Sequence, residues 1–76
     1  MKEEEIKKEI QYLEDIVDNL KADTEILFDE SAGNKLRARA KRSAIMLVED
    51  DVRIPLTIIG NCLKSYIVPK EDNNDD

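Results

Sequence analysis

The chain has no histidine, no tryptophan and a single cysteine, Cys62, among 76 residues. One cysteine forms no internal disulfide, and without histidine it builds no zinc site. A lone thiol between Asn61 and Leu63 suits a reducing compartment, so a cytoplasmic location is expected. Only two glycines and two prolines are present, and no Gly-rich phosphate loop occurs. No Ser-His-Asp set and no paired general acid and base can be assembled, so no enzyme and no cofactor are expected. The aromatics are Tyr12, Phe28 and Tyr66, too few for base-stacking platforms. No apolar run approaches the roughly 18 residues of a membrane span, and the opening MKEEEIKKE is too charged for a secretory h-region. No membrane partner is expected.

What remains is a short, charged chain. Seventy-six residues make one domain at most and bury a thin core. Such chains need a staple, a partner subunit or unusually good helix packing; with no staple present, a homo-oligomer is the expectation. The net charge is -6 but is unevenly spread. Residues 1–30 hold 4 basic and 11 acidic groups. Residues 31–48 hold 5 basic groups and none acidic. The overall field repels nucleic acid at long range, so any such contact must be local.

The apolar pattern gives an all-α fold: a helical hairpin of two long antiparallel helices plus a short third helix, in a coiled-coil-like bundle. Ile6, Ile10, Leu13, Val17, Leu20 and Leu27, with Thr24 in the gap, step by 4 and 3. This is the 3.5-residue repeat of a helical seam, the candidate core or oligomer contact. Ile16 and Phe28 widen it. A helix is expected from Lys2 to Phe28 or Asp29, with Glu4 and Lys8 as an i,i+4 pair. "DESAGNK" breaks it; Gly33-Asn34 can adopt positive φ, and Ser31 or Asn34 can cap the next helix. A second helix is expected over Lys35–Val52, burying Leu36, Ala40, Ser43, Ala44 and Leu47. Pro55 fits the first turn of a third helix. Leu56, Ile59, Leu63 and Tyr66 or Ile67 keep helical spacing, while the β-branched-rich run from Leu56 to Ile59 leaves a short strand as the rival. Residues 1–68 form the expected single domain, and 69–76 an acidic disordered tail.

Lys35, Arg39 and Arg42 recur at i, i+4 and i+7, within about 60° on a helix and opposite Leu36 and Leu47. Arg37 and Lys41 flank the apolar stripe. Two readings are open. The five cations contact phosphate, in a non-specific nucleic-acid interface. Or they pair with the acidic first helix, whose carboxylates are numerous. Glu49, Asp50 and Asp51 point in different directions on a helix and read as a solvated turn. Cys62 lies in an apolar run and reads as a buried structural thiol.

The stretch "NKLRARAKRSAIMLVEDDVR" resembles the bacterial histone H1-like family. The turn Gly33-Asn34-Lys35, the basic core Arg37-Ala38-Arg39 with Lys41, and the closing Val52-Arg53 carry the resemblance. It covers about 25 residues strongly and about 50 loosely, which is the compass of a short helical motif. The resemblance implies a helical hairpin, occurrence in bacteria and phages, and nucleoid association when the basic face is free. DNA-compacting members are basic and often carry a lysine-rich tail, whereas this chain ends in "KEDNNDD".

Nucleic-acid association through Lys35, Arg37, Arg39, Lys41 and Arg42 is the expected function. The alternative is a protein partner, such as a host enzyme, engaged by the acidic face from Glu3 to Asp29 in place of DNA. An exposed or a paired basic face separates the two.

Overall fold

The structure, a computed structural model, describes residues 2–69. Helix α1 spans Lys2–Leu27, helix α2 Asn34–Met46 and helix α3 Arg53–Ser65. A five-residue π turn, Leu47–Asp51, joins α2 to α3. The α2–α3 rod folds back along α1, making an elongated helical hairpin. The antiparallel pairing is fixed at both ends, by Arg37 against Leu27 and by Cys62 against Glu5. The all-α expectation holds. The rival strand at 56–59 does not form: those residues lie within α3.

No Pro or Gly interrupts α1, and Glu3, Glu4 and Glu5 sit in its first turn, where the helix dipole favours anions. The i,i+4 ion pair that forms is Lys7–Glu3, at 3.1 Å, rather than Glu4–Lys8. Both side chains are exposed, so it adds little to stability. Thr24, the polar residue in the apolar stripe, donates its hydroxyl to the Lys21 carbonyl at 3.0 Å. That bond lets a hydroxyl occupy a seam position without an unmet donor.

The turn differs from expectation. Neither Ser31 nor Asn34 caps α2; Gly33 is the N-cap and no side chain bonds there. Gly33 has φ -67° and ψ 152°, and no described residue has positive φ. The physical reason is Asp29. Its carboxylate accepts the Ser31 amide at 3.0 Å and the Ser31 hydroxyl at 2.6 Å. This Asx-type turn reverses the chain with ordinary backbone angles, and it leaves Ser31 two residues ahead of the Gly33 N-cap.

The core is thin. Ile16, Ala40, Leu47 and Cys62 are buried, as is Pro55, and no side chain is fully excluded from solvent. On α1 the inward seam is Leu13, Ile16, Leu20 and Leu27. Ile6 is half-buried, and Ile10 and Val17 lie on a flank, 43% and 49% exposed. On α2, Ala40 and Leu47 are buried and Ala44 half-buried, but Leu36 and Ser43 of the expected inward face are exposed. The apolar arc of each helix is wider than one antiparallel neighbour covers, so the rod settles over one edge of it.

The π turn shifts the register of the rod by one residue. An unbroken α-helix leaving Leu47 would turn Asp51 and Ile54 inward. The observed inward residues are instead Val52, Pro55, Ile59 and Cys62, and Ile54 is 70% exposed. Pro55 supplies the reason. It cannot donate to the Asp51 carbonyl, and its ring clashes with that group in a regular helix. The π turn just before it opens the ladder there. Regular bonding resumes with the Leu56 amide to the Val52 carbonyl, 3.1 Å. Pro55 thus stands in the first turn of α3, as its sequence position implied, though α3 begins two residues earlier.

After α3 the chain is extended at Tyr66, with φ -82° and ψ 133°. The acidic tail expected beyond Pro69 lies outside the described residues. Among the described residues, no helix is long and apolar enough to cross a membrane.

Candidate nucleic-acid interface

The cations of "NKLRARAKRS" all lie on α2, because the sequence from Asn34 to Met46 contains no helix breaker. Its small inward residues, Ala40 and Ala44, lay the helix close along the C-terminal half of α1. The remaining arc carries the charge. Lys35, Arg39, Lys41 and Arg42 are exposed. At about 100° per residue, Lys35 and Arg42 lie opposite Ala40 and Leu47, with Arg39 at the edge of the same arc.

Arg37 behaves differently. It is half-buried, and its Nε donates to the Leu27 carbonyl at 2.9 Å. That carbonyl is one of the last four of α1, which have no partner within the helix. No basic residue of α1 itself lies in its last turn, so Arg37 brings a cation to the negative end of the dipole from the next helix. The carboxyl of Asp29 is held below the usual carboxylate range by the two Ser31 hydrogen bonds, with a smaller contribution from Arg37. Sequence spacing placed Arg37 at the edge of the apolar stripe; its bond to Leu27 depends on how the chain closes at the turn and has no local signature.

Among the described residues, no ion pair joins α2 to α1; the pair present is Lys7–Glu3. Asp23, half-buried on α1, has one carboxylate oxygen shielded from solvent with no hydrogen-bond partner. Even this carboxylate reaches no cation. The basic stretch is therefore not neutralised within the hairpin.

The other candidates fall out as follows. Glu49, Asp50 and Asp51 are exposed on the π turn. Among the described residues, no group of His, Cys, Asp or Glu is placed to hold a metal ion. Cys62 is buried, and its thiol donates to the Glu5 carboxylate at 3.6 Å. Burial first, and then the Glu5 charge and this bond, push the thiol above its ordinary pKa. A thiol so placed is protonated at neutral pH and is a poor nucleophile. A shallow groove between Tyr12, Ile54, Pro55 and Ile58 is apolar with acidic edges and gathers no catalytic group.

Comparison of the chain with protein-family models, with curated proteins and with solved structures gave no match.

Proposed function

We propose that the protein is a small, non-enzymatic helical module that docks the outer face of α2 on nucleic acid, without sequence preference, as a homo-oligomer. The observation that carries this is the open basic arc. Four of the five cations are exposed, and none of the five pairs with a carboxylate among the described residues. Internal pairing was the competing account of the cluster, and the hairpin does not use it. The first turn of α2 contains no acid, so Lys35 and Arg37 lie at a helix end that already repels cations. An anion on this arc relieves that repulsion. The resemblance of residues 31–53 to the histone H1-like family points the same way.

Lys35, Arg39 and Arg42 make the phosphate contacts, and Lys41 flanks them. Binding of labelled duplex DNA, followed by fluorescence anisotropy, weakens with salt; three phosphates neutralised give a log–log slope of about -3. Arg39→Glu with Arg42→Glu abolishes binding and leaves the helical circular dichroism unchanged, because neither side chain touches the core. No binding of the intact chain at low salt, where attraction is strongest, overturns the proposal.

The exposed acidic face of α1 favours a second reading, a protein partner engaged in place of DNA. Glu3, Glu4, Glu14, Asp15, Asp18 and Glu25 are all exposed. Under that reading DNA is not bound and reversal of α1 carboxylates removes partner binding.

A further inference from the structure

Uncovered apolar residues lie on both sides of the hairpin, Tyr12 and Ile54 on one and a set repeated along both helices on the other. On α1, Ile10 and Val17 recur at i and i+7, 43% and 49% exposed. On α3, Leu56 and Leu63 recur at the same spacing, 53% and 60% exposed. The two pairs lie on the same side. In each helix they are reached from the inward residues by turning about 90° in the direction of increasing residue number. Both helices are right-handed and they run antiparallel, so equal turns end on one face.

Gly60 sits between Leu56 and Leu63 on this face. A Cβ there would meet nothing within 4 Å. Glycine within a helix costs about 1 kcal/mol relative to alanine, and nothing in the hairpin requires it.

We propose that a second copy of this chain covers the face and completes a four-helix bundle. This deepens the homo-oligomer part of the function proposed above and does not depend on nucleic-acid binding. Charge selects the arrangement. Two antiparallel packings are open to a two-fold pair of hairpins. One stacks α1 on α1, setting two strongly acidic helices together. The other stacks each α1 on the partner's α2–α3 rod. The second sets the acidic C-terminal half of α1 beside the partner's α2, on which Lys41 turns to the same side as Leu56 does on α3, and spreads opposite charges along the interface. In it, Ile10 meets Leu56 of the partner subunit, both turn regions lie at one end, and Lys35, Arg39 and Arg42 remain outside.

The test uses the full chain without nucleic acid. Light scattering gives twice the 8.7 kDa chain mass, and Val17→Glu with Leu63→Glu halves it. A single-chain mass for the unaltered protein at about 100 µM overturns the proposal. If the double variant also loses helicity, the arrangement is read from cross-linking instead. An Ile10→Cys chain and a Leu56→Cys chain, both carrying Cys62→Ser, are mixed and oxidised. A disulfide between the two unlike chains supports the stacking of α1 on the partner's α3. A dimer that yields only like-chain disulfides overturns it. Loss of DNA binding with an intact dimer counts against the functional proposal alone.

Discussion

Helices α2 and α3 are two halves of one rod, lie on the same neighbour, and are each 13 residues long. They solve the packing problem in opposite ways. α2 buries small residues, Ala40 with Ala44, and turns long cations to solvent. α3 buries Pro55 and Cys62 and leaves Leu56 and Leu63 uncovered. The same backbone geometry thus carries a charged surface on one half and an apolar surface on the other. Charge on the outer arc of α2 invites anions; exposed leucines on α3 invite apolar cover. The π turn sits where the two regimes meet, and it sets which residues of α3 face outward.

That boundary gives the largest expected effect. Deleting Asp50 alone removes the extra residue but forces Pro55 into an unbroken ladder, at a cost of about 3 kcal/mol. Deleting Asp50 together with Pro55→Ala keeps Val52, Ile59 and Cys62 inward on a regular helix and recovers most of that loss. Chemical denaturation of the two variants checks this; equal losses in both break the link between Pro55 and the π turn.

The two halves separate further on truncation. Leu47→Ala, at a buried site, costs about 2 to 3 kcal/mol whatever the protein concentration. Leu63→Ala costs under about 1 kcal/mol in a dilute single chain, because little of it is buried there. Its cost rises with concentration as the second copy binds. Melting curves at two concentrations distinguish these behaviours.

Within α2, Arg37 and Arg39 are predicted to differ although both are arginines of the basic core. Arg37→Ala loses a bond to a terminal carbonyl of α1 and lowers stability by about 1 kcal/mol. Arg39→Ala leaves stability unchanged and weakens DNA binding. Denaturation and anisotropy on the two single variants test the division; identical effects on both assays would erase it.

The smallest effect is a pH dependence at the α3 end. The Cys62 pKa is raised in the folded chain, so folding disfavours the thiolate. The associated stability is fully present below the unfolded thiol pKa and is lost as pH rises through the folded value. Cys62→Ser removes this alkaline loss, and denaturation between neutral and alkaline pH measures it. Asp29 has the opposite sign: its lowered pKa stabilises the turn above the unfolded carboxyl pKa and is lost as pH falls through the folded one.

Much of the hairpin was legible from residue spacing. The helix over Lys2–Leu27, the break near Gly33 and the outward arc of Lys35, Arg39 and Arg42 follow from periodicity alone. The choice of flank did not. Ile6, Ile10, Leu13, Val17 and Leu20 satisfy a 3.5-residue repeat, yet Leu13, Ile16 and Leu20 satisfy one as well. Only the position of the neighbouring rod decides between them. The π turn left a single trace, Pro55, which signals a disturbed ladder but not its form. At the turn glycine's permissiveness goes unused, because Asp29 organises the reversal through Ser31, a contact with no signal in residue spacing. For the basic site, the residue pattern could not tell open cations from paired ones; that required the place of α1's carboxylates around α2.

The hairpin also has a built-in order of closure. At the turn, Arg37 meets a residue 10 positions away; at the far end, Cys62 meets one 57 positions away. Contacts near the turn form with a short loop, and each later contact extends a structure already closed, so the chain zips from α2 towards α3. The α3 end is the last to join and the first to fray. It is also the end that carries the uncovered leucines.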